Sequence, residues 1–192
     1  CLLGSVKNVK IYKEVKMKKR VVGLILALIM IFSLLSVNVF AYSASYPLPT
    51  LTGDQANDVA NIAKSQIGYS GNGGTEYGAW WNDVTNWGVD YTYSGWCAMF
   101  ACWCANKAGA GLNIAYDKNG ASPSLLFSWL KNNASYDTSF ISEPKAGDFV
   151  FFGSNGTAEH VAVVTSYDSS TRRVYFVGGN QGSSSEGQVT SS

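Results

Sequence analysis

The feature that most limits what this chain can fold into is a change of hydrophobic period between its two halves. Trp96 to Ala108 is apolar almost all round, the pattern of a buried helix. Gly109 and Gly111 follow as stops. Upstream, Ala56, Val59, Ala60, Ala63 and Ile67 form a stripe close to 3.6 residues per turn. Thr52-Gly-Asp-Gln55 before it has the form of a capping box, and Gly68 ends that helix. A further helix is predicted over 122–131, with Ser122 as cap and Pro123 in the first turn. After Pro144 the pattern alternates. Asp148 to Gly153, His160 to Tyr167 and Arg173 to Gly178 read as strands, and Gln188 to Thr190 opens another. Helices first and an antiparallel meander second predict an α+β domain. The Gly-, Asn- and aromatic-rich stretch 68–95 reads as a long ordered loop.

The first forty residues differ from the rest. From Met17, a basic Lys18-Lys19-Arg20 start leads into an apolar run from Val21 to Val37, then Val39-Phe40-Ala41. This is the layout of a secretory signal peptide over 17–41. The run approaches membrane-spanning length, but the Val-x-Ala end favours cleavage over an uncleaved anchor. Residues 1–16 precede a complete signal peptide and begin with Cys1. Lys13-Glu14-Val15 is encodable as a ribosome-binding sequence just before Met17, so 1–16 is expected to be translated upstream DNA. N-terminal sequencing of the native product that found any of these residues would exclude this. Residues 42–53 read as a lead-in and 54–192 as the folded domain, whose last strand begins so near the end that a truncated C-terminus is expected.

Charge and cysteine usage narrow the function. The leader holds seven of the fourteen basic and one of the thirteen acidic residues, leaving seven against twelve, a net of about −5 beyond it. A mildly acidic domain without a basic cluster argues against nucleic acid as partner. Cys97, Cys102 and Cys104 cannot all pair, although export permits disulfides. With no CxxC pair and one histidine, a structural zinc site is disfavoured; no metal and no cofactor is expected.

Among the three cysteines, Cys97 opens the buried helix after Ser94-Gly95-Trp96. A helix N-terminus offers partial positive charge and free N–H groups, which stabilise a thiolate and can bind an oxyanion. Cys102 and Cys104 lie deeper, where a free cysteine usually only packs. Cys97 is therefore the candidate nucleophile. His160 is the chain's one histidine, so any imidazole base is His160. If Ser169-Ser170-Thr171 forms a three-residue hairpin loop, Asp168 pairs with Arg172, Val164 faces Phe176 and His160 faces Asn180. Opposed residues share a sheet face, so the Asn180 carbonyl would accept the second imidazole N–H and hold its tautomer. A two-residue loop would shift the register and remove this pairing.

At these residues the sequence resembles the CHAP amidase/peptidase domains of bacterial and phage cell-wall lysins. The resemblance spans about residues 54–190. It rests on Ala63-Lys-Ser-Gln-Ile-Gly-Tyr69, Thr75-Glu-Tyr-Gly-Ala-Trp80, Trp96-Cys-Ala-Met-Phe100, Pro144-Lys-Ala-Gly-Asp148, Glu159-His-Val-Ala-Val-Val164 and Gly178-Gly-Asn-Gln181. It implies a papain-like (NlpC-type) fold, the nucleophile at a helix start packed on an antiparallel sheet. It also implies Cys97 as nucleophile, His160 as base and Asn180 as orienter. The implied activity is hydrolysis of a peptidoglycan amide, between muramic acid and L-alanine or within stem peptide or cross-bridge. Many CHAP domains carry Glu at the place of Gly178, and often Gly at the place of Glu159.

Trp80, Trp81 and Trp96 are candidate substrate contacts, with core packing the commoner role for tryptophan. Glu76 and Asp83 read as solvated charge, and Asp148 as a turn former. The chain is thus read as a secreted, wall-associated monomer acting on peptidoglycan, with no stable membrane association after cleavage. Its rivals are a wall-binding module of the same fold that is weakly active or inactive, supported by Gly178, and an acyl transferase using the same Cys-His pair.

Overall fold

The computed structural model describes residues 43–71, 73–85, 87–110, 118–133, 142–182 and 188–191. The segment 1–16, the signal peptide expected over 17–41, and Gly111 lie outside the described residues. Among the described residues, four α-helices precede a four-stranded antiparallel sheet of order β1-β2-β3-β4. The helices are α1 (Gln55–Ser65), α2 (Glu76–Thr85), α3 (Cys97–Lys107) and α4 (Pro123–Asn132), with a 3-10 turn at Lys118–Ala121. The strands are β1 (Phe149–Ser154), β2 (Thr157–Asp168), β3 (Arg173–Gln181) and β4 (Gln188–Ser191).

The expected elements form, with instructive shifts. The cap of α1 is Asp54, whose side chain accepts from the Asn57 N–H, and not Thr52. Thr52 is instead drawn to the next turn. Its N–H and hydroxyl both donate to the Asp58 carboxylate at 2.8 Å, joined by the Gly53 N–H at 3.0 Å. The buried face of α1 turns with the later start: Ile62 enters the core, while Ala56 and Ile67 are exposed.

The stretch 68–95 is not loop throughout, because α2 lies inside it. Its local composition is poor for a helix, but Tyr77 and Trp81 are fully buried. Burying two large aromatics contributes several kcal/mol, of the order of ~2–3 each, which outweighs weak propensity. Thr75 Oγ1 accepts from the Gly78 N–H at the helix start. Gly78 is required by close packing, since a Cβ there would sit 2.3 Å from the Tyr91 carbonyl oxygen.

Helix α3 is buried along nearly its whole length and packs on β2, β3, α1 and α2. Tyr77 is the hub of an aromatic cluster, stacked on Trp96 and edge-on to Tyr69, Phe100 and Trp103 at centroid distances of 4.8–5.1 Å. The lead-in is laced onto this core. The Tyr69 hydroxyl donates to the Ser43 carbonyl, buried Gln66 exchanges hydrogen bonds with the Tyr46 backbone, and Glu76 accepts from the Ser45 N–H.

The β2–β3 hairpin shows two deviations that cancel. Its loop has four residues, not three, so Asp168 pairs with Arg173. The Asp168 carboxylate accepts from the Ser170 N–H and from the Ser170 and Thr171 hydroxyls, and Arg172 closes the turn at φ 55°. A bulge between Val164 and Ser166 then takes up the extra residue, so Val164 faces Phe176 as the sequence predicts.

Candidate active site

Cys97 is the first residue of α3, with Trp96 as its cap, and is 6% exposed. The backbone N–H groups of Val161, Ala98 and Cys97 itself act to lower its pKa. Burial acts the other way and is the larger effect, so the thiol lies above its ordinary pKa of 9.0. The backbone N–H groups therefore lower the thiol pKa by less than burial raises it. Cys102 and Cys104, wholly enclosed within α3, are pushed up much further by burial.

His160 lies on β2, paired with Phe152 across β1. β2 packs against α3, so the strand that carries the imidazole adjoins the helix that Cys97 opens. Burial lowers the imidazole below its ordinary 6.5. Both shifts run against a preformed thiolate–imidazolium pair. Glu159 falls in the β1–β2 bulge, where the register shifts between Phe152 and Gly153. Its exposed carboxylate accepts from the Ser154 hydroxyl.

The end of β3 completes the site. Gly179 packs so tightly on α3 that a Cβ would lie 2.6 Å from a Trp96 ring carbon and 2.7 Å from the Phe100 Cβ. Gly178 lies under the imidazole, where a Cβ would come within 2.9 Å of His160 Nε2. Asn180 has φ 56°, and the β3–β4 register breaks between Gly178 and Gln181. The Asn180 amide nitrogen lies 3.6 Å from where a Cβ of Gly95 would be, just ahead of Cys97. The hydrogen bond found at His160 Nε2 comes from Gln181, whose side-chain nitrogen stands 3.1 Å away.

Of the three tryptophans, Trp81 and Trp96 are 1% and 3% exposed and belong to the core, while Trp80 is half-buried against Trp81. Phe152, which sequence reasoning did not single out, is 38% exposed. Its ring stands 6.0 Å from the imidazole and 5.0 Å from Phe176. Its signal was available, since it lies on the strand expected to pair with the one carrying His160. Gln181 was visible only as the last residue of the Gly-Gly-Asn-Gln motif. Asp148 accepts from the Lys145 N–H and shapes the turn into β1. Asp83 is exposed on α2.

A buried thiol at a helix start, a histidine on the adjoining strand, and helices followed by an antiparallel sheet define the papain-like α+β class. Within it, residues 85–180 match the CHAP domain, and the chain belongs to that family. The match spans Cys97, His160 and Asn180. CHAP domains are hydrolases of the amidase and peptidase type that act on peptidoglycan. Comparison with curated proteins and with solved structures gives no match.

Proposed function

We propose that this chain is a secreted peptidoglycan hydrolase that cuts an amide bond through an acyl-enzyme on Cys97. The observation that carries the reading is that Cys97 is the first residue of α3, a helix packed on β2, the strand that bears His160. A neutral thiol and imidazole suit a general-base route. His160 takes the thiol proton as the sulfur attacks the amide carbonyl, and the N–H groups at the start of α3 face the developing oxyanion. His160 then passes that proton to the leaving nitrogen, the C–N bond breaks, and a thioester remains on Cys97. His160 next takes a proton from water, whose oxygen displaces the sulfur. The products are a carboxylic acid, a free amine and the restored thiol.

Asn180 borders the site from the Gly95 side, and Phe152 flanks the imidazole as an apolar wall. The bond lies between muramic acid and L-alanine or within the peptide. Secretion follows from the signal-peptide layout over 17–41, and among the described residues no helix is long and apolar enough to cross a membrane. The test is release of soluble amines from purified cell walls by the wild type and by Cys97→Ala. Release by the wild type alone supports the reading, and equal release by both refutes it.

A further inference from the structure

We propose that Gln181 is the positioning residue of the catalytic imidazole, its side-chain amide lying over Gly178 and fixing which ring nitrogen of His160 is free to take a proton. The inference rests on His160 being the base. Three independent features of β3 converge on it. The Gln181 amide nitrogen lies 3.1 Å from His160 Nε2. Gly178 leaves the space that the amide fills: a Cβ there would lie 2.7 Å from both Cδ and Nε2 of Gln181 and 2.9 Å from the ring nitrogen. At Asn180 the left-handed φ of 56° and the register break move that side chain toward Gly95 and bring the next residue to the imidazole. The Gln181 backbone is held by pairing with Gln188 of β4.

The chemistry follows from the two ends of the amide. With its N–H toward the ring, Gln181 donates to Nε2, which leaves the imidazole proton on Nδ1. A half-turn of the amide exchanges its oxygen and nitrogen in nearly the same volume. The carbonyl then accepts from Nε2–H, and Nδ1 is bare and able to take the thiol proton. The same carbonyl also accepts from the imidazolium once that proton has moved. Unlike a carboxylate, a neutral amide does this without raising the imidazole pKa, in keeping with a base that stays neutral at rest.

The experiment measures initial rates of amine release from purified peptidoglycan between pH 4 and 9, with melting temperatures, for wild type, Gln181→Ala, Gln181→Glu, Asn180→Asp and Cys97→Ala. Loss of positioning in Gln181→Ala is expected to lower the rate about a hundredfold. Gln181→Glu, nearly isosteric, keeps the hydrogen bond and is expected to remain within about tenfold of wild type. Its carboxylate favours the imidazolium, so the acid limb of its pH profile moves up by about 1–3 pH units. Wild-type rates in Gln181→Ala together with an inactive Cys97→Ala would overturn the proposal and leave the hydrolase reading standing. If Gln181→Ala does not fold, the acid limb of Gln181→Glu decides, and an unmoved limb refutes the role. A limb moved by Asn180→Asp and not by Gln181→Glu would assign the role to Asn180 instead. Full activity in Cys97→Ala would remove both the hydrolase reading and this inference.

Discussion

Gly179→Ala tests whether the fit between β3 and α3 sets the distance between nucleophile and base. The added methyl would begin 2.6 Å from a Trp96 ring carbon and 2.7–2.8 Å from Phe100 Cβ and Cγ. Ordinary carbon contacts are about 3.5–4.0 Å, so the start of α3 and the end of β3 must part by about 1 Å. Trp96 caps α3 and Cys97 is its first residue, so the movement falls on the thiol, while His160 is held through β2. Displacement of about 1 Å in a reacting pair costs about a hundredfold in rate. Overpacking at such a site costs about 1–3 kcal/mol, or about 2–12 °C in Tm for a domain of this size. The assay is the rate of amine release beside a thermal melt. Gly95→Ala is the steric control, since its Cβ would meet only the Asn180 amide nitrogen, at an ordinary 3.6 Å, and it should keep the wild-type Tm. Unchanged rate and Tm in Gly179→Ala would refute the claim that this contact fixes the site.

Two further outcomes follow from the titrating groups. Burial holds the Cys97 thiol above its ordinary 9.0 and the imidazole below 6.5, so alkylation of Cys97 by iodoacetamide should rise in one step above pH 9. A fast plateau between about pH 5 and 8, the mark of a preformed thiolate, would contradict the neutral pair. The Asp58 carboxylate lies below its ordinary 3.8 in the folded state, chiefly through the Thr52 N–H. The stability it contributes is therefore present above pH 3.8 and lost as pH falls through the lower folded value. Asp58→Ala should lower Tm at neutral pH and expose the chain near Thr52 to proteolysis, and its Tm should depend less on pH in the acid range than that of the wild type.

The sequence made the order of elements legible because each carried its own period or punctuation, such as the all-apolar face of α3 or Pro123 after Ser122. Helix α2 was not legible, because the burial of Tyr77 and Trp81 decides it and burial is a tertiary property. Among the cysteines, position at a helix start singled out Cys97. The sign of its pKa shift was hidden, since desolvation depends on what covers the sulfur. The β2–β3 register was reached through a loop one residue too short and an unforeseen bulge at Thr165, two deviations that offset each other at Val164. They did not extend to the end of β3. There Asn180, a residue type that tolerates it, takes a left-handed backbone, and a hydrogen bond at His160 Nε2 is made with Gln181. A count along an ideal strand has no means of registering that.

The central claim is that Cys97, with His160 as its base, cuts a peptidoglycan amide. Mass analysis of muropeptides after digestion of purified walls tests it most directly, comparing wild type, Cys97→Ala and His160→Ala. The account predicts fragments heavier by one water at a single type of amide bond, produced by the wild type and by neither variant. The same masses locate the bond. Identical muropeptides from all three proteins would contradict it.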